Sequence, residues 1–348
     1  MRPIKTLNEF KERAQESFQS NKESLETSGV NHSTQLKAYL IESNRKGIGG
    51  IAGCPLGNWK ALRDSRGWYT NEHDEYPYSF FLDASDGRIW KLYSFLDVKM
   101  SDLCVNDWVT QKKGLDYCWL SRDHLLHWKG QNCWEERGIG LRYADGLAPA
   151  EEAGNFSLKA WHGAGRHIDG LDELLEKARE AFAIYSIRWQ KRIGSDINLS
   201  AEWYSNGKVT ISKGEDVDEV LTMVTEMAAR YKRSLIAATN LRDKTMGSFE
   251  IIFSQNIDLD AFSNKVIRGV GDMRLWLIEF ESEPDFRRYK GVDLHNWDRV
   301  FLDVGTDYAY LTIPRKGCVN AAPRIATIQG EDNAGRTQIF FDGVELFA

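Results

Sequence analysis

The chain has 348 residues, 42% of them apolar and 12% aromatic, and a net charge of −6. That composition can fill packed cores and excludes a disordered chain, and the length suits two domains of ordinary size. Residues 1–150 balance 20 basic against 20 acidic side chains while the rest carries 25 against 31, so the basic surplus of a non-specific phosphate-backbone binder is missing.

Five cysteines, Cys54, Cys104, Cys118, Cys133 and Cys318, stand at irregular spacings, and Met1 leads directly into charged sequence. An odd cysteine count without a leader reads as free thiols in a reducing, cytoplasmic compartment. No apolar run approaches the ~18–20 residues that cross a bilayer, so no membrane contact is expected.

Residues 6–20 carry Leu7, Phe10 and Ala14 at helical spacing and predict an amphipathic helix. A second helix is expected over 31–44, then a glycine-rich loop over 46–59. The aromatic runs YSFFLD and IWKLYSFLDV, separated by Ser85-Asp86-Gly87, predict a hairpin. Residues 101–134 read as helical in pieces, and GIGLRY as a strand. The stretch 145–155 is rich in Gly, Ala and Glu, has no apolar period, and is the expected domain boundary.

Beyond it FSLKAW reads as a strand and 171–190 as a helix with Leu171, Leu174, Leu175, Ala178, Phe182 and Tyr185 on one face. LSAEWY and KVTIS flank Ser205-Asn206-Gly207, the strongest hairpin signal in the chain. Asp216 caps the next helix, with Val217, Val220, Leu221, Val224, Met227 and Tyr231 as its buried stripe. FEIIFS, a short helix near 258–267, RLWLIEFE and two hairpins near 299–313 and 324–347 complete the pattern. Hairpins require antiparallel pairing. The expected fold is therefore α+β, with largely antiparallel sheets and helices packed on one face. Two domains are expected, a tryptophan-rich one over 1–146 and a second over 155–348.

The hairpin at 83–99 resembles the metal-dependent nucleases of the PD-(D/E)xK kind. In those, two carboxylates hold Mg²⁺ and a lysine at the end of a strand serves the attacking water. The resemblance puts Asp83 or Asp86 as the first acid, Asp97 as the second and Lys99 as the lysine, with Mg²⁺ as cofactor; the motif's proline is absent. Cys104, Cys118, His124, His127 and Cys133 are ligand types for zinc, but their gaps lack the tight pairs of a structural site, and buried thiols are the plainer reading. The run VFLDVGTDYAYLTI resembles the phosphate-binding hairpin of the actin, Hsp70 and sugar-kinase ATPases through Asp303, Gly305 and Thr306. It stands too near the end of the chain to open such a domain, and Gly305 reads as a turn residue. Gly47, Gly49 and Ala52 have a dinucleotide-like spacing without the strand and helix that a dinucleotide site needs.

Two loops or faces remain as binding candidates. His162, Arg166, His167 and Asp169 lie together before the helix at 171, where acid–base or phosphate chemistry is possible. Tryptophans stand beside cations at Trp108 with Lys112 and Lys113, Trp128 with Lys129, and Trp189 with Lys191 and Arg192, a pattern that stacks bases and meets phosphates. With no catalytic motif complete, the sequence reads as a non-catalytic interaction protein with a protein partner. The alternatives are the nuclease and a nucleic-acid binder without catalysis.

Overall fold

The computed structural model describes residues 3–28, 35–45, 47, 56–144, 155–161, 171–194, 196–245, 247–269 and 271–348. In chain order its elements begin with α1 (Leu7–Ser28), β1 (Leu36–Ser43), β2 (Asn58–Ala61), β3 (Trp68–Glu72), β4 (Phe80–Asp83) and β5 (Ile89–Ser94). Then come α2 (Val98–Gln111), β6 (Leu115–Tyr117), α3 (Arg122–Leu125), β7 (Trp134–Ala144), β8 (Asn155–Trp161), α4 (Leu171–Ala181) and β9 (Ala183–Ile193). They continue with β10 (Asp196–Tyr204), β11 (Lys208–Gly214), α5 (Val217–Thr245), β12 (Phe249–Phe253), α6 (Leu259–Arg268) and β13 (Leu275–Glu283). The last are β14 (Phe286–Asp293), β15 (Asp298–Gly305), β16 (Tyr308–Thr312), α7 (Ala321–Gln329), a π-helical turn at Gly330–Ala334, β17 (Thr337–Phe341) and β18 (Val344–Leu346). The strands pair antiparallel, so the fold is α+β. No helix among the described residues is long and apolar enough to cross a membrane.

The chain divides into two compact units, and each is built from separated segments. Residues 1–118, 128–136 and 188–232 form the first, and 119–127, 137–187 and 233–348 the second. Of the expected single boundary at 145–155, residues 145–154 lie outside the described residues and Asn155 opens β8. The units differ from a division at that one point because 188–232 supplies β10 and β11 to the first unit.

In the first unit the strands run β2-β3-β4-β5-β1-β11-β10, with β6 also pairing β1. β1 is central: Ile41 faces Trp90 on one neighbour and Leu36 faces Ile211 on the other. All eight of its residues are buried, which corrects the helix expected over 31–44. A segment buried on both faces reads as a short continuous apolar run, and periodicity cannot tell such a run from a helix. The covers are visible in the contacts. Phe10 of α1 packs on Phe81 and Tyr93 at ring distances of 4.9 and 5.5 Å. Ser101 of α2 bonds Ser94, whose neighbour across the ladder is Lys37, on the opposite face. The Asn206-Gly207 turn closes the β10–β11 hairpin as expected, with Gly207 at φ +76° and Trp203 opposite Val209. Asp216 stands before α5, where its carboxylate accepts the Asp218 N–H at 2.8 Å. Val217, Val220, Val224, Met227 and Tyr231 are buried, while Leu221 is only half-buried.

In the second unit the strands run β13-β14-β15-β16-β12-β17-β18. Leu275, Leu277, Tyr289, Leu302, Leu311, Ile251 and Phe341 lie on its buried face, against which α6 and α7 pack. β7 and β8 form a hairpin from Gly138 opposite Trp161 to Ala144 opposite Asn155. Two expectations are corrected here. The helix expected over 171–190 stops at Ala181, and 183–193 is β9, whose β-branched and aromatic residues take a strand's alternation instead. The hairpin expected over 324–347 begins as α7, and only β17 and β18 pair.

Candidate anion site

Three arginines from separated segments line one pocket of the second unit, a depression partly open to solvent. Each is held by local chemistry. Ser121 caps α3, accepting the His124 N–H, and its hydroxyl donates to the Phe347 carbonyl. That fixes Arg122 in the first turn. Arg179 comes from the last turn of α4 and pairs with Glu176 three residues earlier. Arg336 enters β17 through Gly335, which has φ +67° and lies so close to the Ala181 carbonyl that a Cβ there would sit 2.6 Å from its oxygen. Ser254 brackets Arg336, its hydroxyl accepting the Arg336 N–H at 2.8 Å and its own N–H donating to the Arg336 carbonyl at 2.9 Å. Gln255 donates to the Ala181 carbonyl at 2.7 Å, tying the end of α4 to the same corner.

Charges of both signs line this corner, with Asp123, Glu331 and Glu345 beside the three arginines. Burial lowers the Arg122 guanidinium from its ordinary value, the neighbouring Arg336 and Arg179 lower it further, and Asp123 and Glu176 offset part of that. Its Nε is buried and has no hydrogen-bond partner. Among the described residues Arg336 meets no carboxylate within ion-pair distance. Asp123 and Glu176 offset part of the repulsion between the arginines, but the desolvated Arg122 Nε is left without a partner, which an anionic ligand's oxygen would supply. Thr327, Thr337 and Ser121 add hydroxyls to the same wall. Phe182, Ile184, Pro323 and Phe347 supply an apolar side, the mixture usual for small-ligand pockets.

The residues singled out in the sequence lie elsewhere. Asp83 ends β4 and forms a buried ion pair with Lys91 of β5 at 2.7 Å, while Ser85 donates to its other oxygen. Asp86 sits in the turn and pairs with Lys232 at 2.6 Å. Burial pulls its carboxyl up, but Lys232 and the N–H groups of Ile89 and Arg88 outweigh that and leave it below the usual carboxylate range. Asp97 does not end a strand. β5 stops at Ser94, and Asp97 caps α2, accepting the Met100 N–H at 3.0 Å. Lys99 lies in the first turn of α2 and is exposed, so Asp97 and Lys99 share no strand face. Each of the three aspartates has a partner of its own.

Trp108 and Trp128 are fully buried. Trp108 packs on Trp59 at 5.6 Å, and Trp128 on Trp134 and Trp203 at 5.0 and 5.8 Å. Their neighbours Lys112, Lys113 and Lys129 therefore flank a core, and the rings present no stacking surface. Trp189 is buried as well. Cys104 and Cys118 are buried thiols that desolvation pushes above the ordinary value. His162, Arg166, His167 and Asp169, with Gly49 and Ala52, lie outside the described residues. Asp303 of the ATPase-like hairpin is bound by Arg288 at 3.0 Å.

A family described as MJECL33-like protein matches residues 1–330. The chain belongs to the MJECL33-like family. The protein MJECL33 of Methanocaldococcus jannaschii is 26% identical over 342 residues, which cover 83% of this chain and 82% of that protein. No solved structure matches. The family description carries no activity, so the reading of this MJECL33-like chain rests on its own residues. None of Arg122, Arg179 and Arg336 stands out in the sequence, because a convergence of three distant segments leaves no local spacing to read.

The first unit holds one other unusual charge. Lys37 of β1 is wholly buried and donates to the Leu96 carbonyl. Burial, with Lys208 acting in the same direction against Asp97 and Asp102, lowers it from 10.5 to about 8. An unfolded chain then binds this proton more tightly than the folded one, so stability should rise as pH increases from about 8 to about 10.5 and be lower below that window. Lys37→Met should flatten that rise in urea titrations across the window. A variant whose stability climbs as steeply as the wild type's would show that Lys37 is not its source.

Proposed function

We propose that this MJECL33-like protein is a non-catalytic binding protein whose second unit captures a phosphate-bearing ligand between Arg122 and Arg336. The observation that carries the reading is the partly buried Arg122, its Nε without a hydrogen-bond partner, sharing one pocket with Arg179 and Arg336. Guanidinium groups present paired donors that match the oxygens of a phosphate, and an anion there removes the repulsion. The apolar wall of Phe182, Ile184 and Phe347 favours an ester with an organic body over the bare ion. The four described thiols are unbridged, in keeping with a reducing compartment such as the cytoplasm.

Thermal melts with inorganic phosphate and with phenyl phosphate, at fixed ionic strength, test this. Ligand that binds only the folded state adds about 2.7 kcal/mol at a hundredfold excess over its Kd. Phosphate also stabilises folded proteins by exclusion from their surface, so the deciding quantity is the difference between wild type and Arg336→Gln. The wild type should gain more, and more from phenyl phosphate than from phosphate. Without ligand, Arg336→Gln should be at least as stable as the wild type, since it removes one of two repelling charges. Equal gains in both proteins would refute the site.

A further inference from the structure

The outer face of the seven-stranded sheet carries an aromatic patch with cations inside it. Trp276, Ile278 and Phe280 of β13 are 55, 64 and 51% exposed, and Phe301 of β15 is 46% exposed. They are not scattered. Register sets Ile278 beside Lys290 of β14, and Lys290 beside Phe301; in the next row Trp276 stands beside Val292, and Val292 beside Arg299. Lys290 Nζ lies 5.3 Å from the centre of the Phe280 ring. Among the described residues neither Lys290 nor Arg299 has an ion-pair partner, whereas Arg288, on the same face, is held by Glu281 and Asp303 at 2.6 and 3.0 Å. β13 is also the edge strand, paired only with β14, and the end of α6 borders the patch at Trp276, where a Cβ on Gly269 would lie 3.3 Å from the tryptophan's Cβ.

We infer that this face binds a short single-stranded nucleic acid segment, bases stacking on Trp276, Phe280 and Phe301 while Lys290 and Arg299 meet its phosphates. The argument is charge complementarity. A large exposed apolar patch calls for a partner. A second copy docked through a two-fold axis would set the patch against itself, and the carboxylates Glu281 and Asp303 that it would bring are already held by Arg288. A partner that is flat, apolar on its faces and anionic between them has no such shortage. Unpaired bases linked by phosphates have that character, and stacking on rings tolerates any sequence. An acidic peptide offers the charge but lacks rings to stack, and is the alternative the test separates. The overall charge of −6 limits long-range attraction, so binding should be modest and salt-sensitive.

The experiment uses the full chain with fluorescein-labelled octathymidylate and octauridylate, read by anisotropy. Trp276→Ala and Phe301→Ala should each weaken binding by about five- to a hundredfold, the range for losing one stacked base. Trp276→Phe should keep most of the affinity, and it stands in if the alanine variant folds poorly. Lys290→Gln should lower the salt slope between ~50 and ~200 mM by about 0.7, one phosphate contact of a single strand. Three results would overturn the inference. One is a dissociation constant weaker than about 1 mM at low salt, or one that Trp276→Ala leaves unchanged. Another is an oligoglutamate of equal charge competing as well as the oligonucleotide. The third is a concentration-dependent dimer in sedimentation that Trp276→Ala abolishes, which would make the face a contact between copies.

Discussion

Asp293→Asn should lower the unfolding free energy by about 3–5 kcal/mol. Asp293 ends β14 and Arg324 lies in α7; their side chains are 1% and 0% exposed and meet at 2.5 Å. The same carboxylate oxygen accepts the His295 N–H at 3.0 Å. Burial removes water as a fallback for the guanidinium, and an amide cannot replace the charge it has lost. Breaking one partner of such a pair therefore costs far more than the pair contributes against an apolar replacement. The expectation has a second part. Asp293→Leu combined with Arg324→Met should recover much of the loss, because both charges then leave the interior. Denaturant unfolding of Asp293→Leu, Arg324→Met and the two combined gives a double-mutant cycle. A loss below about 1 kcal/mol for Asp293→Asn would mean that water reaches the pair.

Phe10→Ala should cost about 3–5 kcal/mol. Phe10 is wholly buried, and four rings surround it: Phe81 at 4.9 Å, Trp68 and Tyr93 at 5.5 Å, and Phe95 at 5.7 Å. Trp68 and Tyr93 are stacked on each other at 5.6 Å with planes 8° apart, so neither can turn into the space left behind without losing that contact. A cavity that cannot collapse is the costly kind. Phe10→Leu, which fills most of the volume, should cost less than half as much. Unfolding by urea measures both. Equal losses for leucine and alanine would mean that α1 detaches as a whole, and proteolysis within α1 would then rise in both variants.

The sequence and the fold agree where a single segment carries its own instruction. Asn206-Gly207 requires positive φ and turns the β10–β11 hairpin. The stripe from Val217 to Tyr231 makes a helix because its period matches 3.6 residues. They differ where burial overrides period. β1, covered on both faces, looked helical, and β9 was absorbed into the helix that precedes it. In both cases the pattern an isolated segment shows depends on what will pack against it.

The candidate sites divide the same way. Asp83, Asp86, Asp97 and Lys99 looked like one constellation because they are close in sequence. In the fold Asp83 turns to Lys91, Asp86 to Lys232 and Asp97 to the start of α2. The tryptophan–lysine pairs looked like a surface, yet Trp108 and Trp128 are core. What the chain by itself determined is its class, α+β with antiparallel pairing, since hairpin turns and amphipathic periods are local and need no partner to be recognised. Only the tertiary structure decided which charges stand unpaired and which rings face water. Arg122 and Arg336 are 214 positions apart in the sequence, and their repulsion exists only because the chain folds them to one half-buried pocket, where screening by water is reduced.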